Sequence, residues 1–189
     1  MVTEQELHTV RDGLGTDPFS EELNAKVYAH FPLPGSSRQL IDFYRQLQRT
    51  HPEDWRHLVN LARAYSANGK DSLAVVQLQK LLRSDSSLLE VWMDLAECYR
   101  RLKKTELALR ALNSAIDIDP SFERAHLSRA KLLVSTEEFE EAAAAVVFSL
   151  SSDKLSKPVV EWLEALDEFL ESNIDPPKDL LESAPVLSN

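Results

Sequence analysis

The chain has 189 residues, 43% of them hydrophobic and 28% charged, a net charge of −10, four glycines and one cysteine, which is the profile of a helix-rich globular protein with no internal disulfide. Residues 1–37 carry 2 basic and 6 acidic groups, residues 38–152 carry 16 and 16, and residues 153–189 carry 3 and 9, so nothing attracts a phosphate backbone and nucleic-acid binding is not expected. No stretch approaches the roughly 18 uninterrupted apolar residues of a membrane span, and the first ten residues lack the basic and apolar regions of a secretion signal, so a cytoplasmic location is expected.

In chain order, "TEQE" at 3–6 reads as a capping box, Thr3 with Glu6, opening a short helix that ends at Gly13 and Gly15 within an N-terminal segment, 1–19. Residues 21–31 read as a helix followed by "PLPGSS", and Leu40, Tyr44, Leu47 and Pro52 mark a second one. From residue 55 a fixed period appears. Ala62, Ala96 and Ala130 are spaced by 34, as are Ala74, Ala108 and Ala142, with Tyr65, Tyr99 and Leu133 and then Leu78, Leu112 and Val146 in phase. Within each period apolar residues recur at three and four, as in Leu58, Leu61 and Tyr65, so each unit reads as two amphipathic helices, joined by turns such as "SANGK" (66–70) and "RRLKK" (100–104). The expected antiparallel pairs are 55–84, 89–118 and 123–152. The alanines let paired backbones approach closely, and because a lone pair cannot bury its apolar face the pairs must stack into an all-α helical solenoid.

Ser156 and Pro158 open a further helix, 157–173, whose Val159, Leu163, Leu166 and Leu170 form a face that caps the last pair. Trp162 and Phe169 lie off that stripe, so either one broad face is buried wholly on the third pair, or there is a second contact, with the tail, a partner or another copy in a homodimer. Residues 174–189, acidic and proline-containing, read as a tail and not an element.

No catalytic constellation is present in the sequence. His8, His30, His51, His57 and His126 have no partners at metal-ligand spacing, and Cys98, between Ala96 and Tyr99 on a core-facing stretch, reads as a buried inert thiol. Asp117 and Asp119 with Glu123 could suggest a cation site, but the "DP" helix end that is usual in the repeat family which this stretch resembles explains two of them. The expectation is a non-enzyme with no cofactor and no metal.

Residues 89–122 resemble the tetratricopeptide repeat (TPR), with Trp92, Leu95, Ala96, Tyr99, Ala108, Leu112, Ala115 and Pro120 on signature positions. The resemblance extends to 55–88 through Leu58, Leu61, Ala62, Tyr65, Gly69, Ala74, Leu78 and Leu81, with Ser86 in place of the usual proline. It extends to 123–156 through Ala130, Leu133, Ala142 and Val146, with Arg129 on a normally apolar position and Lys154 on the proline. Three repeats thus occupy 55–156, preceded by a degenerate repeat at 20–54. The resemblance implies a right-handed solenoid whose first helices line a concave groove.

On those first helices Val59, Met93 and Leu127 would form an apolar stripe on the groove floor. It is bordered by two rows that alternate plus, minus, plus: Arg56, Glu90, Arg124 and Arg63, Glu97, Lys131. Asn60, Asp94 and Arg100 complete the expected groove. Either the charges pair between neighbouring repeats, or they set the register of a bound segment, or both. A two-carboxylate clamp for chaperone tails is disfavoured, since these positions offer Val59, Arg63, Asp94, Arg124 and Ser128, and Asp94 would repel a terminal carboxylate. The reading is a non-catalytic adaptor or scaffold that binds a protein segment with an apolar anchor and acidic flanks. The alternative is a cytoplasmic chaperone for a secreted or membrane-inserting client, resembling type III secretion chaperones.

Overall fold

The computed structural model describes residues 3–172 and 176–186, and every regular element among them is an α-helix. Residues up to Leu102 form one compact unit and those from Lys103 another. The first holds α1 (Glu4–Thr16), α2 (Glu21–His30), α3 (Ser37–Thr50), α4 (Trp55–Ala67), α5 (Asp71–Ser84) and α6 (Leu89–Arg101).

The capping box forms as expected: the Thr3 N–H donates to the Glu6 carboxylate at 2.7 Å and the Glu6 N–H donates to Thr3 Oγ1 at 3.2 Å. The glycines do not end α1, however. A Cβ on Gly13 would meet Leu23 at 2.7 Å and one on Gly15 would meet His51 at 2.8 Å, so both sit inside the helix where it is approached closely. The helix stops instead at Asp17, whose N–H returns to the Gly13 carbonyl. Beneath it Val10 and Leu14 pack with Val27, Leu40, Phe43, Tyr44 and Leu47. Each fully buried leucine in that cluster stabilises by about 1.5–3 kcal/mol.

From α3 onward each helix of the first unit packs on the next, and α4 also meets α6. The small residues at the packed faces, Ala62, Ala74 and Ala96, are buried, which is where the 34-residue period places them. Polar pegs follow the same period. The Tyr65 hydroxyl accepts from Arg45 Nη2 at 3.2 Å, and 34 residues on the Tyr99 hydroxyl accepts from Gln79 Nε2 at 2.7 Å. In each case a helix ties itself to the first helix of the following pair, so the tyrosine ring packs while its oxygen stays satisfied.

The second unit holds α7 (Thr105–Ile118), α8 (Glu123–Ser135), α9 (Phe139–Leu150), α10 (Lys157–Glu171) and α11 (Lys178–Glu182). Leu133, Ala142 and Val146 pack with Val159, Leu163, Leu166 and Leu170, so α10 does cover the preceding pair. Arg129, on its normally apolar position, is accommodated through hydrogen bonds from Nη2 to the Ala145 carbonyl at 3.0 Å and from Nη1 to Asn113 at 3.2 Å. The last stretch departs from expectation. Pro177 starts the short α11, the Trp162 indole N–H donates to the Leu180 carbonyl at 2.8 Å, and Ala184 is buried in the same cluster. Apolar side chains at 180, 181 and 184 find a surface on α10, which sequence periodicity over so short a segment cannot reveal. The parts of the tail at 173–175 and 187–189 lie outside the described residues.

Backbone turns repeat too. Gly69, Lys103 and Glu137, spaced by 34, all adopt positive φ, at 68°, 57° and 62°. Only the first is the residue type that adopts this conformation without steric cost.

Candidate functional site

The first helices of successive pairs, α4 and α6, carry most of the expected groove residues. Asp54 caps α4, accepting from the Arg56 N–H at 3.0 Å, and its carboxylate also takes the Arg56 guanidinium at 3.0 Å from Nε and 2.6 Å from Nη2. Arg56 is therefore held at its own helix N-terminus, and these hydrogen bonds keep the Asp54 carboxyl below its ordinary pKa.

Arg63 is the hub of the site. Its Nε donates to Asp94 Oδ1 and Oδ2 at 3.1 and 2.9 Å, its Nη2 lies 3.7 Å from Glu90, and its guanidinium stands 5.0 Å above the Phe19 ring. The same-row pairing of Arg63 with Glu97 does not form: Glu97 turns to Arg100 on its own helix, at 2.6 and 2.7 Å. A residue three positions along the same helix is simply nearer than one a repeat away. The charges do knit α4 to α6, but along a diagonal.

Val59 is fully buried and Leu127 nearly so, whereas Met93 is half-buried. Two of the three stripe residues thus belong to the packing, and Met93 is the one left at the surface. Asn60 is buried as well, its amide donating to the Pro18 carbonyl, and the loop after α1 continues with Phe19 edge-on to Trp55 at 5.8 Å. That loop covers the α4 face, an intrachain contact which no periodic signal in residues 17–20 announces.

Between α4, α5 and α6 an open cleft of about 200 Å³ remains, lined by Ala62, Arg63, Ser66, Ala67, Leu78, Asp94, Glu97, Cys98 and Arg101. Its polar wall is preorganised: Ser66 Oγ donates to Asp71 at 2.5 Å and Arg101 Nε lies 3.3 Å from the same carboxylate. Burial pushes the Cys98 thiol up to about 11, which leaves it a packing group and no nucleophile at neutral pH.

In the second unit Arg124 stands 5.9 Å over the Phe122 ring and Lys131 stands 5.8 Å over the Trp162 indole. Burial lowers the Lys131 pKa. Trp162 is buried, with Lys131 over its ring and its indole N–H on the Leu180 carbonyl, so among the contacts expected for it the one with the tail forms; Phe169 is half-buried. Asp119 Oδ1 accepts from the Ser121 N–H and hydroxyl at 2.9 and 2.6 Å, an Asx turn that accounts for this acid as the end of α7.

Residues 89–122 match the family model described as tetratricopeptide repeat. The chain carries a tetratricopeptide repeat in a TPR fold. Solved structures with the same fold include MamA protein, at 17% identity with a TM-score of 0.59, covering 95% of this chain and 87% of that one. A thermophilic TPR protein from Thermus thermophilus is 20% identical with a TM-score of 0.58, over 84% and 82% of the two chains. A tetratricopeptide repeat protein from Parabacteroides merdae is 22% identical with a TM-score of 0.58, over 86% of this chain and 62% of that one. No curated protein matches in sequence. At such identities the likeness is one of TPR fold, and the side chains in the cleft are this chain's own.

Three residues at or beside the α4–α6 cleft carry no sequence signal of that place: Phe19, Ser66 and Asp71. Phe19 reaches α4 through a loop. Asp71, at the first turn of α5, looks like an ordinary helix-start acid until its Arg101 partner is seen.

Proposed function

We propose that the chain is a protein-interaction adaptor or scaffold that holds a segment of a partner protein against the first-helix face of its repeats, at the cleft between α4 and α6. The observation that carries this reading is the half-open charge network around that cleft. Arg63, Asp94, Arg100, Arg101 and Glu97 are each paired, yet their side chains retain between 22% and 54% of their accessibility. Such pairs are worth little in isolation, so exchanging an internal carboxylate for one from a ligand costs little while fixing the ligand's register. Met93, half-buried beside Asp94, offers the apolar contact that supplies affinity. A segment with an apolar anchor and acidic flanks meets both. Among the described residues no helix is long and apolar enough to cross a membrane.

The test compares wild-type and Met93→Glu chains as baits, identifies proteins retained only by wild type, and then titrates each purified. Met93→Glu should weaken a groove ligand by at least tenfold, through lost apolar contact and a new negative charge beside Asp94. Equal affinities would move the binding site off this face.

A further inference from the structure

A second cleft of about 370 Å³ opens elsewhere on the first unit, lined by Arg38, Ile41, Asp42, Arg45, Tyr65, Lys70 and Leu73. None of these residues belongs to the α4–α6 cleft. Its volume falls within the roughly 300–1,000 Å³ of ligand pockets, although it is open. Three cations face one carboxylate here, on a chain whose net charge is −10.

The arrangement is partly fixed. Arg45 donates from Nη1 to Asp42 and from Nη2 to the Tyr65 hydroxyl at 3.2 Å, which locks the guanidinium plane. Arg38 lies 3.7 Å from the same Asp42, but its side chain is 93% exposed. One carboxylate already engaged by Arg45 leaves Arg38 in surplus. Lys70, exposed, stands at the N-terminus of α5, where the helix dipole adds positive potential. The adjacent acid, Asp71, does not cancel it, because its carboxylate is turned to Ser66 and Arg101 on the other side. Leu73 is half-exposed at the rim and Ile41 forms an apolar floor.

We infer that this cleft is a second binding site, which takes a carboxylate-bearing protein segment: glutamate or aspartate side chains on Arg38, Arg45 and Lys70, with an aliphatic residue against Leu73 and Ile41. The surplus of cations selects acidic side chains, and the apolar strip distinguishes a peptide from a bare anion. The site is independent of the α4–α6 reading. A scaffold with two separate peptide sites can hold two partners, or two segments of one with gain in avidity.

The probe is the peptide Glu-Glu-Leu-Glu-Glu, blocked at both ends, titrated into the isotope-labelled full chain with amide shifts followed by NMR; Gln-Gln-Leu-Gln-Gln and a phosphoserine peptide of equal length are the comparisons. The glutamate peptide should shift amides at 38–45 and 65–73, bind at least tenfold more tightly than the glutamine peptide, and weaken as salt is raised. The double variant Arg38→Glu, Lys70→Glu should lose at least tenfold in affinity, since both side chains are exposed and their exchange leaves the fold intact. Met93→Glu should change nothing. Shifts confined to the α4–α6 face, equal binding of the glutamine peptide, or binding of the phosphoserine peptide alone would each overturn the assignment.

Discussion

Arg63 on α4 and Asp94 on α6 are joined by two hydrogen bonds, at 3.1 and 2.9 Å, across 31 residues of sequence. Both side chains are partly exposed, 36% and 22%, so screening limits what the pair contributes. A double-mutant cycle with Arg63→Ala and Asp94→Ala should give a coupling of about 0.5–1 kcal/mol in chemical denaturation. A coupling near zero would mean that the pair serves orientation alone.

Ala96 is 5% exposed on α6, which packs along α5. Ala96→Leu adds three carbons to a closed crossing and should cost on the order of 1–3 kcal/mol. An unchanged melting temperature would place Ala96 outside the helix contact.

Lys103 and Glu137 hold the left-handed conformation that Gly69 holds one period earlier. Exchanging either for glycine should stabilise the chain by about 0.5–1 kcal/mol, since relief of side-chain strain outweighs the added freedom of the unfolded state. Gly69→Ala should do the opposite. Thermal melts of the three variants would check both signs.

His57 and His126 are buried, and burial pushes both imidazoles below their ordinary pKa. Asp54, His51 and Arg56 face the first; Asp119, Glu123 and Arg129 face the second. The unfolded chain regains the usual value of about 6.5 and takes up protons first as pH falls. Stability should be complete above about pH 6.5 and decline as acid approaches the lower folded values. Denaturant midpoints at pH 7.5 and 5.5 should differ in that direction, and a His57→Asn, His126→Asn variant should show a smaller difference. An undiminished difference would assign the effect to carboxylates.

A chain ending at Ser172 loses the segment that carries Leu180, Leu181 and Ala184 off the α10 face. The cost should be about 2 kcal/mol, from the apolar burial of these side chains. The Trp162 indole loses its carbonyl partner and becomes exposed, so its fluorescence should shift to the red. No shift would mean that the tail does not cover Trp162 in solution.

The sequence by itself determined the all-helical fold, because alanine recurs at 34-residue spacing at two positions of each helix pair over 55–156 and constrains the crossing within each pair in the same way. It also determined the Thr3–Glu6 capping box, which depends on neighbours a few residues away, whereas the raised pKa of Cys98 comes from burial among α4, α5 and α6. Only the tertiary structure decided which charges meet, since Arg63 chooses among Glu90, Asp94 and Glu97 by distances of a few ångströms that the period does not encode. It also decided that Pro18 and Phe19 cover α4, that Trp162 is closed by Lys131 and the 176–184 segment, and that Arg38, Arg45 and Lys70 surround one cleft. Short loops and tails carry too few residues to show a period, and their side chains gain a partner only once the helices have fixed where the surfaces lie.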